Sequence, residues 1–361
     1  MRVLQIFGAL NCGGAETMLM NLYRKIDKQK IQFDFVKHTK EECFYDKEII
    51  SLGAEIYSCP KYNVLNHFSY IKWWKNFFKN HPEYTIIHSH VRSTASIIFK
   101  IAKSHGRTTI AHSHSTSNGG GIKAVIKKFF QKKIVKWADH YFACSKDSGE
   151  WLYGLDVVKS EKFKILPNAV DIEKFFYNET IRNKLRSEFK IQNDFVVGHI
   201  GRFTEVKNHN FLIDIFEKLH QVKPNSKLIL VGTGELRNEI EYKVKTLNLI
   251  DNVLFLGVRS DVYDLVNIFD CFIFPSKWEG LPVTLVEVQA NGLPVVMSDI
   301  ITDEIALTSL SVKVPLSVDI EIWVNKILNT ERNQSEVHKI ADAGFDINKT
   351  VLWLQDFYLS I

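Results

Sequence analysis

Residues 275–290, PSKWEGLPVTLVEVQA, set two carboxylates, Glu279 and Glu287, eight positions apart across a Gly-Leu-Pro break. Pro282 suits the first position of a helix, where its missing N–H costs nothing. A helix starting there exposes the amides of Val283, Thr284 and Leu285, and open amides at a helix N-terminus attract phosphate. Glu287 falls four residues after Val283, on the same face and about 6 Å further along the axis. At that depth it cannot ligate the phosphate, but its two oxygens can accept hydrogen bonds from a vicinal diol such as a ribose. Glu279, in the loop ahead of the helix, is free to grip a hydroxylated group on the far side. The spacing fits ribose, diphosphate and sugar in a row. The plainer alternative is an exposed loop acid and a solvated helix residue.

GRFTEVKN, residues 201–208, follows the strand-like run FVVGHI directly. Gly201 permits a tight turn, Arg202 offers a forked donor to a diphosphate, and Lys207 adds a compact positive charge. Together they could stabilise a departing diphosphate; singly, each is an ordinary surface charge. VGTGELRNEI, residues 231–240, supplies Gly232 and Gly234 but not a full G-x-G-x-x-G, so it reads equally as a tight strand-to-helix turn or as a ligand contact. NCGGAETML places Gly13, Gly14 and Glu16 after the first strand, again without a third glycine. Paired glycines there suit backbone approach to an anion.

TTIAHSHS carries His112 and His114, one expected on each side of the strand end, and IIHSHVRS repeats the arrangement with His88 and His90. Four histidines invite a metal reading, but no carboxylates sit near them in sequence. The expectation is no metal and a hydrogen-bonding histidine at the floor of a cleft.

IKAVIKKFFQKKIVKW, residues 122–137, holds six lysines and no acid. Its apolar residues recur at helical spacing while Lys128, Lys132 and Lys136 form a row on another face, as in an amphipathic basic helix. YIKWWKNFFKN, residues 70–80, adds aromatic and basic residues. Each segment reads either as a membrane-surface contact or as a core-facing stripe with solvated lysines.

The elements that must position these residues follow from the wider pattern. Short β-rich runs (RVLQIF, FDFVKH, AEIYSC, TIIHSH, RTTIAHS, DHYFAC, then FVVGHIG, KLILVG, NVLFLG, CFIFPS, PVVMS) alternate with helical-period segments. Strands so continuously apolar are buried on both faces, as in parallel sheets, so the fold class is α/β. The chain has 361 residues, enough for two domains. The strand-loop-helix grammar restarts near residue 195 after a polar connection around 168–190 containing PNAVD. The expected domains are residues 1–170 and 171–346, two doubly wound Rossmann-like domains facing across a cleft, with the last helical segment, about 347–361, crossing back onto the first. Glycines and histidines cluster at the predicted carboxyl ends of strands, where such sheets bind ligands.

Composition is that of a globular protein, 45% hydrophobic and 24% charged. No apolar stretch approaches the roughly 18 residues needed to cross a bilayer, and Gln5 interrupts the N-terminal run, which reads as a first strand rather than a signal peptide. The expected location is cytoplasmic. Five scattered cysteines with no C-x-x-C pair indicate buried free thiols rather than a disulfide framework or zinc site. Net charge is +5, but the first 170 residues carry 26 basic against 14 acidic side chains and the remainder 20 against 27. The first half is therefore expected to face something acidic. No nucleic-acid module is recognisable, and oligomeric state is not legible.

GGAET, PNAVD, GRFTEVKN, VGTGE and PSKWEGLPVTLVE, in this order and at these distances, resemble a family 4 retaining glycosyltransferase of the GT-B fold over almost the whole chain. The branch most similar is that of bacterial capsular and exopolysaccharide enzymes. The resemblance implies that Arg202 and Lys207 hold the donor diphosphate, Glu287 the ribose and Glu279 the hydroxyls of the transferred sugar. Backbone groups of Gly280, Leu281, Val283, Thr284 and Leu285 assist, and Gly13, Gly14, Gly201 and Gly232 lie against the donor. His114, or His112 in the other register, matches the family's cleft histidine. It further implies no metal and no cofactor besides the UDP-sugar co-substrate. Configuration at the anomeric carbon is retained, and a donor phosphate oxygen takes the acceptor's proton. After PVVMSD the paired glycines of many relatives are absent, which leaves the role of Glu304 open.

The expectation is thus transfer of a hexose or N-acetylhexosamine from a UDP-sugar to a lipid-linked or glycan acceptor, peripherally on an anionic inner membrane face. A nucleotide-sugar epimerase or hydrolase, and a non-catalytic sugar-nucleotide-binding scaffold, are the alternatives.

Overall fold

Alternate residues of the first strand sort into two separate cores: Val3 and Phe7 pack on one side of its sheet, Leu4 and Ile6 on the other. This two-sided burial recurs in most central strands, as expected of parallel sheets covered on both faces. The computed structural model describes residues 1–11, 13–92, 94–114, 131 and 133–361. It divides into two units, Met1–Ala169 with Ile347–Ile361, and Val170–Asp346.

The first unit holds β1 (Arg2–Phe7), β2 (Gln32–Lys37), β3 (Ile56–Ser58), β4 (Tyr84–Ser89), β5 (Thr108–Ser113), β6 (His140–Ala143) and β7 (Phe163–Ile165) in the order β3-β2-β1-β4-β5-β6-β7. The second holds β8 (Phe195–Ile200), β9 (Ser226–Val231), β10 (Val253–Gly257), β11 (Cys271–Phe274), β12 (Val295–Ser298) and β13 (Ser311–Val314) in the order β10-β9-β8-β11-β12-β13. All named pairings are parallel. In both sheets the strand order reverses beside the first strand, between β1 and β4 and between β8 and β11, which is where doubly wound sheets open a crevice for ligands.

The edge strands β7 and β13 are absent from the sequence expectation. Each is three or four residues with a lysine in it, FKI and SVKV, and so lacks the apolar run that marks a central strand.

The C-terminal helix Ile347–Ser360 belongs to the first unit, burying Ile347, Val351, Leu354 and Tyr358 in the same core as Phe7 and Tyr23. In the helix His67–Asn80, Tyr70, Trp74, Phe77 and Phe78 are core residues, while Lys72, Lys75 and Lys79 are exposed. The aromatic part of that segment is therefore a core stripe. The exposed apolar side chains, Leu65 at 97% and Phe68 at 86%, stand just ahead of it. Among the described residues Cys43, Cys59, Cys144 and Cys271 are buried cysteines. Among the described residues no helix is long and apolar enough to cross a membrane.

Candidate active site

In the second unit the loops leaving β8 and β11 stand side by side at the point of reversal, because those two strands are neighbours in the sheet. Two hydrogen bonds tie the loops together: the Lys277 amide donates to the Val206 carbonyl at 2.8 Å, and Asn208 Nδ2 to the Pro275 carbonyl at 3.1 Å. Asn208 sits at φ 56°, a left-handed conformation that asparagine tolerates better than most residues. The result is that Lys207 Nζ lies 2.7 Å from Glu279 Oε1, both side chains largely buried, with the ammonium 4.4 Å from the centre of the Phe274 ring. The pair is held by charge: Glu279 Oε1 is buried and has no aligned hydrogen-bond donor among the described residues.

Arg202 is not part of this pair. Its side chain is 75% exposed and comes no nearer to an acid than 3.8 Å from Glu235. Gly201 has a steric task, since a Cβ there would lie 3.3 Å from the Lys207 stem and 2.9 Å from His199 Nε2. Gly232, at φ +136°, and Gly234 are packed against the same loop: a Cβ on the first would stand 2.1 Å from the Gly201 carbonyl oxygen, and on the second 2.4 Å from that of Phe203. Both accommodate backbone, which accounts for the incomplete glycine motif. At Gly280, by contrast, a Cβ would meet nothing within 4 Å.

The helix runs Val283–Ala290, with Pro282 as its cap rather than its first residue, because Pro282 keeps ψ at an extended 100°. The Leu285 amide turns back onto the Pro282 carbonyl at 3.0 Å, so it is not an open donor as the sequence suggested. Those of Val283 and Thr284 have no hydrogen-bond partner among the described residues, and Leu281 leads into this end. Glu287 keeps a fraction of its surface in contact with solvent, yet the apolar packing around its carboxyl group pushes its pKa up to about 7. Glu304 lies exposed in the short turn Asp303–Ile305.

Beneath the loop are two histidines that the sequence reading passed over. His199 and His209 are 0% and 1% exposed, their rings 4.9 Å apart, and burial pulls both pKa values down, with the Lys207 charge adding to the effect. Their only sequence signal is a histidine inside the apolar strand and one just after Lys207.

In the first unit Gly13 caps the helix that begins at Gly14, and a Cβ on Gly13 would stand 2.4 Å from Glu16 Oε2. Burial raises the pKa of Glu16. His88, His90, His112 and His114 form one stack at the carboxyl ends of β4 and β5. His112 and His114 lie with ring centroids 4.0 Å apart, not on opposite sides as expected, because residues two apart in a strand share a face. His88 Nε2 meets His112 Nδ1 at 3.2 Å, and His90 Nδ1 meets His114 Nε2 at 2.8 Å. The chains continue to Tyr358 Oη, 2.6 Å from His88 Nδ1, and to Gln5 Oε1, 2.9 Å from His90 Nε2. Nitrogens of His88, His90 and His112 come within 4.8 Å of one another, close enough to hold a metal ion. Burial lowers all four pKa values, those of His88 and His114 to about 3, so each ring is neutral at pH 7.

Lys136 is exposed beside Trp137, 5.2 Å from its ring centre. Lys128 and Lys132 lie outside the described residues.

The sequence matches the family described as Glycosyltransferase Family 4 over residues 12–174, and that described as Glycosyl transferases group 1 over residues 181–309. It is 36% identical to the putative glycosyltransferase EpsF of Bacillus subtilis (strain 168), over 99% of this chain and 96% of the relative. It is 28% identical to an Escherichia coli protein named UDP-Gal:alpha-D-GlcNAc-diphosphoundecaprenol alpha-1,3-galactosyltransferase, over 77% of this chain and 76% of that one. The crystal structure of Anabaena Alr3699/HepE in complex with UDP superposes with a TM-score of 0.80 at 19% identity, covering 100% of both chains. That likeness fixes the architecture as GT-B.

Proposed function

Because this chain belongs to the family 4 (group 1) glycosyltransferases, we propose that it moves a hexose or N-acetylhexosamine from a UDP-sugar to a lipid-linked or glycan acceptor in surface-polysaccharide assembly. The observation that carries the donor half is the meeting of Lys207 and Glu279 beside the open end of the helix Val283–Ala290. A diphosphate lying there gains the Lys207 ammonium, the Val283 and Thr284 amides and the approach that Gly280 leaves clear. Arg202, exposed and loosely paired, swings onto the same phosphates. Glu287 takes the ribose diol and Glu279 the hydroxyls of the sugar.

As the anomeric C–O bond to phosphate breaks, negative charge grows on the leaving diphosphate, and fixed positive groups lower the barrier most when aimed at that charge. The acceptor oxygen forms the new bond to the anomeric carbon, and its proton passes to a donor phosphate oxygen, so UDP leaves carrying it. In this reading the two cationic side chains and the helix end supply the positive charge with no resident metal, and the transfer retains configuration. The name of the Escherichia coli relative, with its UDP-linked donor and diphosphoundecaprenol-linked acceptor, supports the choice of donor and acceptor. The basic balance of the first 170 residues, with exposed Lys136, supports contact with an anionic membrane surface.

The test is calorimetry with UDP, followed by turnover of a panel of UDP-sugars with and without a diphosphoundecaprenol-linked sugar. Sugar-dependent UDP release that requires the acceptor is expected. Release without acceptor would point to a hydrolase, epimerised donor to an epimerase, and UDP binding with no turnover to a non-catalytic binder.

A further inference from the structure

Among the described residues, the group of side chains placed to hold a metal ion is made of imidazole alone: nitrogens of His88, His90 and His112 lie within 4.8 Å of one another. The rings of His88 and His90 each have an outer and an inner nitrogen. The outer ones are held from behind, His88 Nδ1 by Tyr358 Oη at 2.6 Å and His90 Nε2 by Gln5 Oε1 at 2.9 Å. The inner ones face the next strand, where His88 Nε2 meets His112 Nδ1 at 3.2 Å and His90 Nδ1 meets His114 Nε2 at 2.8 Å. A partner of this kind on the far nitrogen is what fixes the ring of a metal-ligating histidine and strengthens it as a ligand. Gln5 Oε1 can only accept, so His90 carries its hydrogen on Nε2 and its inner nitrogen is bare.

Two nitrogens bound to one tetrahedral ion stand about 3.3 Å apart, given bonds of about 2.0–2.1 Å. His88 Nε2 and His112 Nδ1 are at that separation already. No gap in the trio has more than about 1.5 Å left to close. The hydrogens balance as well. Each neutral ring carries one, and on ligation it sits on the outer nitrogen, so no proton is gained or lost. Burial keeps the rings in this neutral form, which is the form that ligates. The sequence offers no carboxylate beside these histidines, but an all-imidazole set needs none.

We infer that His88, His90 and His112 form a binding site for a divalent transition-metal ion, with zinc the expected occupant and with Gln5 and Tyr358 holding its ligands from behind. Nitrogen ligation selects such an ion over magnesium or calcium, which take oxygen. His90 and His114 are partly exposed and leave the ion a way in, and its fourth place falls to His114 or to water. All of these residues belong to the first unit, and the site is independent of the transferase reading, whose positive charge comes from side chains and a helix end of the second unit. The ion cross-links the ends of β4 and β5 and, through Gln5 and Tyr358, bears on β1 and the C-terminal helix, so it stabilises the first unit.

The experiment titrates the chelator-treated full chain with zinc chloride, followed by calorimetry, thermal melting and X-ray absorption at the zinc edge. One ion per chain is expected, with a raised melting temperature and three or four imidazole nitrogens at about 2.0–2.1 Å. Magnesium chloride at the same concentration should give neither heat nor stabilisation. His90→Ala and His112→Ala should each weaken zinc binding by about tenfold or more, and Tyr358→Phe, which removes only the hydroxyl behind His88, by about tenfold. His338→Ala, at an exposed histidine of the second unit, should leave the affinity unchanged. Absence of saturable zinc binding by the wild type would overturn the inference, as would sulfur ligands at about 2.3 Å contributed by cysteines. Affinities equal to wild type in both histidine variants would do the same. The absorption spectrum is read on the wild-type chain, so a variant that fails to fold leaves the outcome decided.

Discussion

Lys207 Nζ and Glu279 Oε1, 72 residues apart in sequence, lie 2.7 Å apart at the reversal of the second sheet. The pair keeps two charges in a largely enclosed place where neither would be stable alone; in the function proposed above, an arriving diphosphate draws the ammonium away while a sugar hydroxyl takes over the carboxylate.

Lys207→Ala should therefore lower turnover by about a hundredfold, or ~2.7 kcal/mol of transition-state stabilisation. It should also lower thermal stability by stranding Glu279, and the double variant Lys207→Ala, Glu279→Gln should recover much of that stability but none of the turnover. Steady-state kinetics with melting curves check both, and near-normal turnover in Lys207→Ala would remove the residue from the mechanism.

The position of Glu287 gives a pH prediction. Between about pH 4.5 and 7 its folded carboxyl keeps a proton that the unfolded chain has lost, so stability falls as pH rises through that window. Glu287→Gln should flatten this slope and be the more stable protein at pH 8, by about 2 kcal/mol allowing for the partial exposure of the group. Gripping a ribose diol uses the ionised form, so UDP affinity of the wild type should weaken as pH drops below 7 while that of the variant does not change. Denaturant titrations and calorimetry across pH 5–8 decide it.

Two glycines of the site should behave oppositely. Gly232→Ala meets the Gly201 carbonyl oxygen and a left-handed φ, and should cost about 2–3 kcal/mol of stability. Gly280→Ala enters open space and should leave stability within about 0.5 kcal/mol while weakening UDP binding, because it narrows the approach to the helix end. A Gly280→Ala protein that binds UDP normally would argue against the diphosphate lying there.

Reversing charge at Lys128, Lys132 and Lys136 should reduce sedimentation with anionic vesicles and leave UDP affinity unchanged. Equal sedimentation of variant and wild type would count against membrane contact through this row.

The parts of the molecule legible in sequence were those written in short-range patterns. The apolar runs marked the central strands, and the glycines with Lys207 and Glu279 marked where loops leave them. What could not be read was set by partners far away in sequence. Gln5 looked like an interruption in a strand until Tyr358 lay opposite it, and His199 drew no reading at all because its charged neighbour, Lys207, comes from the loop beyond its own strand. The edge strands escaped because three residues such as FKI carry too little alternation to outweigh a lysine. Placing His112 and His114 on opposite sides was an error of period rather than of long-range information, since strand geometry alone puts them together.

The hydrogen bond between Gln5 and Tyr358 joins residues 353 positions apart. During synthesis the first unit is therefore obliged to wait: its sheet can assemble as soon as β7 has emerged, but the face containing Gln5 stays uncovered while the entire second unit is translated. A ribosome-bound chain should show that face to chaperones, and a stop codon placed just after Asp346 should yield a second unit that is whole and a first that is left sticky and short-lived.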